Sequence, residues 1–366
     1  MRRDLCYITL MSKVNLKQFS FDEFDALVRE LDWPKYRAQQ IRDWIYQKRV
    51  SRFEEMTNLS NSDRELLETR AVLSAPELVQ RQRSADGTQK FLFRLSDGQE
   101  IESVLIPDDD RNTLCISTQA GCTLDCTFCL TGTMGLLRNL KAHEIVDQVL
   151  WMQNHMEPDQ HLTNIVLMGM GEPLANYREV TEALGRLLHP KMVGLGPRRI
   201  TLSTSGLVPQ IKKLGESGLN VNLAVSLNAT TNAVRDRVMP AINKQYPLES
   251  LLQACRDYPL PPRRRIFFEY VLLKGINDTE ADARRLLRLL KGIPCKLNLI
   301  PFNDYPGAPF GRPDDETVLR FQKILIEGRL PAFIRKSRGR DILAACGQLR
   351  TEAAANPTGL SIPMFS

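Results

Sequence analysis

The sequence predicts an α/β fold. We expect an open, six-unit partial (β/α)6 barrel, preceded by an N-terminal helical accessory domain and a small β-meander linker. Three observations carry this. From residue 112 onward a short apolar strand, a polar or glycine-containing loop and a helix succeed one another six times, a pattern that builds a parallel sheet with right-handed crossovers. A closed eight-unit barrel needs two more units; a flat doubly wound sheet is the alternative arrangement. Residues 12–75 show helical apolar spacing instead, and residues 78–107 read as short strands separated by turns. The expected boundaries are 1–77 for the helical domain, 78–107 for the meander, 108–349 for the barrel core and 350–366 for a tail with no assigned role.

The elements follow in order. Phe24, Leu27, Val28 and Leu31 recur at helical spacing. Tyr36, Ile41, Trp44 and Ile45 form the apolar face of a second helix, beside Lys35, Arg37, Arg42, Lys48 and Arg49. That basic side is either a solvated surface or a phosphate-contacting one. Strands near 77–79, 89–95 and 101–106 are separated by Asp86-Gly87 and Asp97-Gly98 turns. The barrel strands are expected at Thr113–Ser117, Asn164–Met168, Arg199–Ser203, Asn220–Ser226, Ile266–Leu273 and Lys296–Ile300, with a further one at Ala332–Arg335. Helices are expected near 143–156, 177–188, 208–216, 231–238, 279–290 and 314–327.

Composition narrows the function. The 366 residues are 43% hydrophobic and 25% charged, as in soluble globular chains. No run approaches the length of apolar residues needed to span a bilayer, so no membrane partner is expected. The net charge of +6 permits a nucleic-acid partner without requiring one. Arg2-Arg3 before Leu5–Met11 superficially resembles a signal peptide, but Asp4 interrupts its start and no small-residue cleavage site follows. The expected location is the cytoplasm, with Met11 as an alternative start.

The cysteines point to chemistry. Of the eight, Cys115, Cys122, Cys126 and Cys129 crowd into one short stretch, while Cys6, Cys255, Cys295 and Cys346 are scattered. A disulfide scaffold does not suit a large chain without a secretion signal. Cys122-x3-Cys126-x2-Cys129 supplies three thiolates on the loop after the first barrel strand. Zinc prefers four closed ligands, and the nearest histidine is His143. Iron–sulfur clusters also usually take four thiolates, so three leave one iron open. Incidental buried cysteines and zinc remain the alternatives. The other strand ends, such as Gly169-Met170-Gly171-Glu172-Pro173, Ser226-Leu227-Asn228 and Pro301-Phe302-Asn303, are small and polar, as a ligand-lined mouth requires.

The cysteine spacing resembles the radical S-adenosylmethionine (radical SAM) superfamily, and Gly169–Pro173 looks like that superfamily's second-strand motif. The stretch Arg335-Lys336-Ser337-Arg338-Gly339-Arg340-Asp341-Ile342-Leu343-Ala344-Ala345-Cys346-Gly347-Gln348-Leu349 is similar to the signature of the RlmN/Cfr family of radical SAM RNA methyltransferases. Ile101–Val104, Thr113–Cys122, Arg138-Asn139-Leu140 and the Tyr36–Tyr46 helix agree with it, so the likeness runs from about residue 20 to 349.

The resemblance implies a set of roles. Cys122, Cys126 and Cys129 would ligate one [4Fe–4S] cluster. Gly171, Glu172, Ser203, Ser226, Leu227, Asn228 and Asn303 would contact SAM. Cys346 would accept a methyl group from one SAM, and a second SAM would supply the radical that activates it. Cys115 would resolve the protein–RNA adduct through a transient Cys115–Cys346 disulfide, and Glu102 is a candidate proton acceptor. The implied product is 2-methyladenosine in 23S rRNA, at the peptidyl-transferase centre, and in tRNA. A Cfr-like C8 methylation of 23S rRNA that confers antibiotic resistance is the alternative. The expected partners are these RNAs and an external, flavodoxin-type electron donor, with the enzyme a monomer.

Elementary chemistry supports the scheme. An adenine amidine carbon is electrophilic, so direct displacement from SAM does not suit it. A thiolate is the side chain best able to take the methyl first. Arg335, Lys336, Arg338 and Arg340 precede Cys346 and can favour its thiolate or meet RNA phosphates. Cys115 and Cys346 also have a reading as buried core residues, and Glu102 one as a strand-edge carboxylate. One position departs from the family: Asn228 stands where a histidine is expected, and it does not titrate near neutrality. Arg263-Arg264-Arg265 reads as a solvated edge or an RNA contact. An RNA-binding protein with a non-catalytic cluster, and a radical SAM enzyme for a small molecule, are the competing classes.

Overall fold

The computed structural model describes residues 13–351. The signal-like stretch Leu5–Met11, the alternative start at Met11, Cys6 and the tail from residue 352 onward lie outside the described residues.

Ten strands form the main sheet: β1 Glu77–Arg83, β2 Gln89–Arg94, β3 Glu100–Asp108, β4 Arg111–Cys115, β5 Asn164–Leu167, β6 Ile200–Thr204, β7 Asn222–Ser226, β8 Ile266–Leu272, β9 Cys295–Pro301 and β10 Ala332–Ile334. Their order across the sheet is their order along the chain. Strands β4 to β10 are parallel, whereas β1 to β4 are antiparallel. The six expected units are β4 to β9 with their helices, and β10 is the further strand. The meander is more than a linker: β3 pairs with β4 from Val104↔Cys115 to Asp108↔Arg111, so it extends the barrel sheet.

The barrel strands are apolar runs because both faces are covered. In β8 the sequence Ile-Phe-Phe-Glu-Tyr-Val-Leu buries most of its side chains, and Glu269 is its one charge. The helices are α1 Phe21–Glu30, α2 Tyr36–Arg42, α3 Asn61–Arg70, α4 Leu130–Thr133, α5 Ala142–His155, α6 Tyr177–Leu188, α7 Val208–Glu216, α8 Asn232–Val238, α9 Pro240–Gln245, α10 Leu248–Asp257, α11 Glu280–Leu289 and α12 Asp315–Glu327. Capping sets several starts: Ser20 with Glu23 on α1, Thr279 with Asp282 on α11 and Asp314 on α12, each satisfying amide groups that lack helical partners. The sequence reading did not place α9 or α10. Pro240 and Pro247 break this connection into three pieces, although Leu248, Leu251, Leu252 and Cys255 keep helical spacing and are buried.

The N-terminal module is α1 to α3, with Val14–Asn15 paired to Ala71–Val72 at its ends. The second expected helix continues into a π-helical turn, Asp43–Gln47. Its faces differ from expectation. Tyr36 is 59% exposed and lies outside the core. Arg42 is buried, paired with Asp25 at 2.9 Å and set against the Phe21 ring. Arg37 pairs with Asp63 at 3.1 Å. Lys35 and Lys48 remain exposed on this stretch. The module docks on the barrel through a buried Lys17–Asp147 ion pair of 2.9 Å, and Arg186 donates to the Lys17 and Gln18 carbonyls. One apolar core runs from Leu16, Phe24 and Ile45 into Val149 and Leu184.

After β10 the chain forms a strap, residues 335–351, that crosses the open seam between β10 and the meander. Arg335 N–H donates to the Leu299 carbonyl on β9; farther on, Arg338 meets Asp108 at 3.1 Å and Arg350 N–H donates to Glu102 at 2.8 Å. The seam of the partial barrel is thus closed by a segment that carries Cys346.

Candidate active site

The C-terminal ends of the barrel strands, the cysteine loop and the strap line a cavity of about 240 Å³. The cysteine loop is pinned at its base, where Gln119–Gly121 pairs with Leu136–Asn139. Arg138 on this pair holds Asp97 of the meander at 2.5 Å and Glu144 of α5 at 2.7 Å. The loop rests on an apolar cap of Leu124, Val238, Met239, Ile242, Leu273 and Phe302, so its thiols sit in a low-dielectric wall.

Cys122, Cys126 and Cys129 all line the cavity. Among the described residues, no three His, Cys, Asp or Glu converge closely enough to hold a single metal ion. Three thiols facing one cavity are the donor type that an iron–sulfur cluster takes. Burial raises all three thiols, Cys122 to about 12; a bound cationic centre reverses that by stabilising the thiolates.

Six of the seven expected SAM residues also line the cavity: Gly171, Glu172, Ser203, Ser226, Asn228 and Asn303. Leu227 does not; it is fully buried and contributes backbone, its N–H to Glu269 and its carbonyl to Arg235. Gly171 has φ +102, and a Cβ there would meet the Gln119 side chain at 2.6 Å, so only glycine fits. Glu172 is 3% exposed. Its carboxylate accepts the Leu174 and Ser205 N–H groups at 3.0 and 2.7 Å, and its pKa is nonetheless raised by burial. Asn303 donates to the Cys346 carbonyl at 3.1 Å, while its Oδ1 is buried with no partner. An open acceptor in a cavity wall fits a ligand that brings an N–H or O–H.

Asn228 adopts a left-handed conformation, φ 56, which Asn tolerates better than most residues. Its Oδ1 accepts the Val271 N–H at 2.8 Å. The residue that replaces the expected histidine therefore holds the strand end together rather than offering a free proton site.

Cys115 and Cys346 both line the cavity, and neither forms a disulfide in this structure. Cys115 is buried and Cys346 exposed. Burial raises the Cys115 thiol strongly. Although Cys346 as a residue is exposed, the groups packed around its sulfur raise the thiol by desolvation, with Arg335 opposing it, so the basic box moderates the thiol without making it a thiolate unaided. Glu102 is not brought to the cavity. It is 3% exposed, paired with Lys90 at 2.9 Å and bonded to the Arg350 N–H, so its carboxylate holds the strap. Arg263, Arg264 and Arg265 precede β8 at the opposite end of the barrel from the cavity.

Sequence reasoning missed two residues. Glu269 lines the cavity and accepts from Asn298 at 2.7 Å; its signal was a lone charge in an apolar strand. Arg235 is completely buried, donates to the Ser205 and Leu227 carbonyls at 2.7 and 3.2 Å, and so ties together the loops after β6 and β7. Burial lowers it to about 10. Nothing in an Arg-Asp-Arg helix announces it.

The likeness to known proteins runs nearly the whole chain. Residues 116–287 match the model of the radical SAM superfamily, and residues 14–73 match that of the ribosomal RNA large subunit methyltransferase N-terminal domain. The chain is 50% identical to the dual-specificity RNA methyltransferase RlmN of Syntrophus aciditrophicus, over 94% of this chain and 98% of that one. It is 51% identical to the RlmN of Geobacter sulfurreducens, over 94% and 95%. The crystal structure of a radical SAM methyltransferase from Sphaerobacter thermophilus superposes with a TM-score of 0.88 at 45% identity, covering 92% of this chain and 99% of that chain. With the three thiols, the two further cysteines and the strand-end residues gathered at one cavity, the chain belongs to the RlmN family of radical SAM RNA methyltransferases.

Proposed function

We propose that this enzyme methylates C2 of adenine in 23S rRNA, at the peptidyl-transferase centre, and in tRNA, with Cys346 as the methyl carrier. The observation that carries the reading is the placement of Cys346 on a strap across the barrel seam, lining the same cavity as Cys115 and the three loop cysteines. Cys122, Cys126 and Cys129 would hold a [4Fe–4S] cluster, and Gly171, Glu172, Ser203, Ser226, Asn228 and Asn303 would surround SAM. When bound, this pair supplies the methyl group and the hydrogen-atom abstraction that an electrophilic ring carbon requires.

The protein's own groups do the rest. Cys346 loses its proton under the influence of Arg335 and takes the methyl through sulfur, the strongest nucleophile in the cavity. Asn303 holds the Cys346 carbonyl and so orients the thiol. Once the ring carbon has lost its proton, the Cys115 thiolate attacks the Cys346 sulfur and breaks the bond from that sulfur to the methylene on the RNA. The electron pair goes to that carbon, which takes up a proton to complete the methyl group, and an external thiol reductant reopens the disulfide. Glu102 acts by holding the strap, since both carboxylate oxygens already have partners. Arg335, Lys336 and Arg338 at the rim meet the RNA phosphates.

The cavity is complete within one chain, which supports a monomer, with a flavodoxin-type protein as electron donor. No helix among the described residues is long and apolar enough to cross a membrane, and a cytoplasmic location suits the RNA substrates.

The test is nucleoside mass spectrometry on unmethylated 23S rRNA and tRNA after anaerobic incubation with the reconstituted enzyme, SAM and reductant. 2-Methyladenosine is expected from the wild type and none from Cys346→Ala. 8-Methyladenosine would move the reaction to the other ring carbon, and full activity of Cys346→Ala would remove the carrier role.

A further inference from the structure

The meander takes no part in the chemistry above, yet it holds the strap at the end that leads into Cys346. Two carboxylates cross between them. Asp86, on the turn between β1 and β2, accepts the Gly339 N–H at 2.9 Å. Asp341, on the strap, accepts the Ser84 hydroxyl at 2.6 Å and the Ala85 N–H at 3.1 Å. The packing beneath these bonds is close: Gly339 has φ +66, and a Cβ on it would meet Ala344 at 2.8 Å and Thr88 at 2.9 Å.

The chain then turns back on itself. Ala344 N–H donates to the Gly339 carbonyl at 2.8 Å, and Leu343 is left-handed with φ 51. Beyond Cys346 a second anchor takes over. Leu130 N–H donates to the Gly347 carbonyl at 2.7 Å, and the Thr131 hydroxyl donates to the Leu349 carbonyl at 2.6 Å. Cys346 is therefore suspended between the cysteine loop on one side and the meander turn on the other.

We propose that Asp341 and Asp86 are positioning residues for Cys346, fixing the upstream end of the strap on the Ser84–Thr88 turn and so setting where the thiol stands relative to Cys115 and the cavity. The inference rests on the reading of Cys346 as the methyl carrier. Without these bonds the stretch between the Arg335 bond to β9 and Ala344 keeps the partly exposed Arg338–Asp108 pair, an exposed Arg340–Asp304 pair at 3.7 Å and a long Lys90 contact to the Leu343 carbonyl, 3.4 Å. Exposed ion pairs of that kind restrain little. Neither carboxylate lines the cavity, and both residues are exposed, so their loss leaves the cavity wall and the core intact. Asparagine at 341 keeps the shape but turns an N–H toward one of the two donors.

The experiment compares the holoenzyme with Asp86→Asn, Asp341→Asn and the double variant by amide hydrogen exchange, alongside RNA methylation kinetics. We expect exchange across 339–349 to quicken about tenfold in the double variant, the effect of losing one charge-assisted hydrogen bond from a local opening equilibrium. Exchange in α6 stays unchanged, and turnover falls while KM for SAM holds. Unchanged exchange in the strap, or quickened exchange with full turnover, overturns the proposal. Should Asp341→Asn loosen α6 as well, Ser84→Ala removes one of the same bonds from the other side and is judged by the same two outcomes. Full turnover of Cys346→Ala would instead remove the carrier reading and leave the exchange result standing.

Discussion

Residues of one type do different work here according to what surrounds them. Cys255 and Cys295 are buried and pack, whereas Cys115 and Cys346 face the cavity. If Cys115 resolves the adduct, Cys115→Ala should still load Cys346 but accumulate a covalent protein–RNA species, visible as a shifted band on a denaturing gel; free product at the wild-type rate would contradict that role. Arg235 makes a different kind of prediction. Arg235→Met keeps the volume but takes its donor from the Ser205 carbonyl and leaves the Leu227 carbonyl with the Ala229 N–H alone, so stability should fall by about 3 kcal/mol in urea unfolding. His143 sets a pH dependence. Burial lowers it from 6.5 to about 4, so the unfolded chain binds its proton first. The stability it leaves intact above pH 6.5 is lost as pH falls toward 4, on the order of 3 kcal/mol. His143→Gln should flatten that part of the urea midpoint against pH, and an unchanged slope would show that another group governs it.

At the scale of elements, the sequence was most legible where period and burial agree. The barrel strands and the helices α5 to α8, α11 and α12 lie close to their expected places because each presents an apolar run or stripe that only one packing satisfies. The cysteine loop was legible from spacing, and Asn303 from its strand end. What escaped depends on long-range partners. Whether Glu102 meets substrate or a strap 248 residues away is not written in Ile-Glu-Ser-Val. The exposure of Tyr36 and burial of Arg42 are settled by Asp25 and Phe21 on another helix. Local geometry also yields a prediction. Gly171→Ala places a methyl against Gln119, whose Oε1 accepts the Glu172 N–H at 2.9 Å. SAM affinity should fall about tenfold or more as that bond is displaced, measured by equilibrium binding to the reconstituted enzyme. Unaltered affinity would mean that Gln119 yields freely.

At the scale of the whole molecule, packing and polar contacts couple the N-terminal module to the barrel. The N-terminal module shares its apolar core with the barrel, is tied to it by the buried Lys17–Asp147 pair, and supplies carbonyls to Arg186 on α6. Separating the two would expose that core and leave Asp147 buried without its cation, each a cost of several kcal/mol. Unfolding should therefore be a single transition. The tryptophans allow a direct check, because Trp33 and Trp44 sit in the module while Trp151 packs in the barrel against Phe91 and Phe93. A Trp33→Phe/Trp44→Phe chain reports the barrel alone, and a Trp151→Phe chain reports the module alone. In each, the fluorescence midpoint in urea should coincide with that of far-ultraviolet circular dichroism on the same chain. A module transition well below the barrel's would show that the shared core and the Lys17 contact contribute too little to couple them. The module would then be free to rearrange on RNA while the barrel and its strap stay closed.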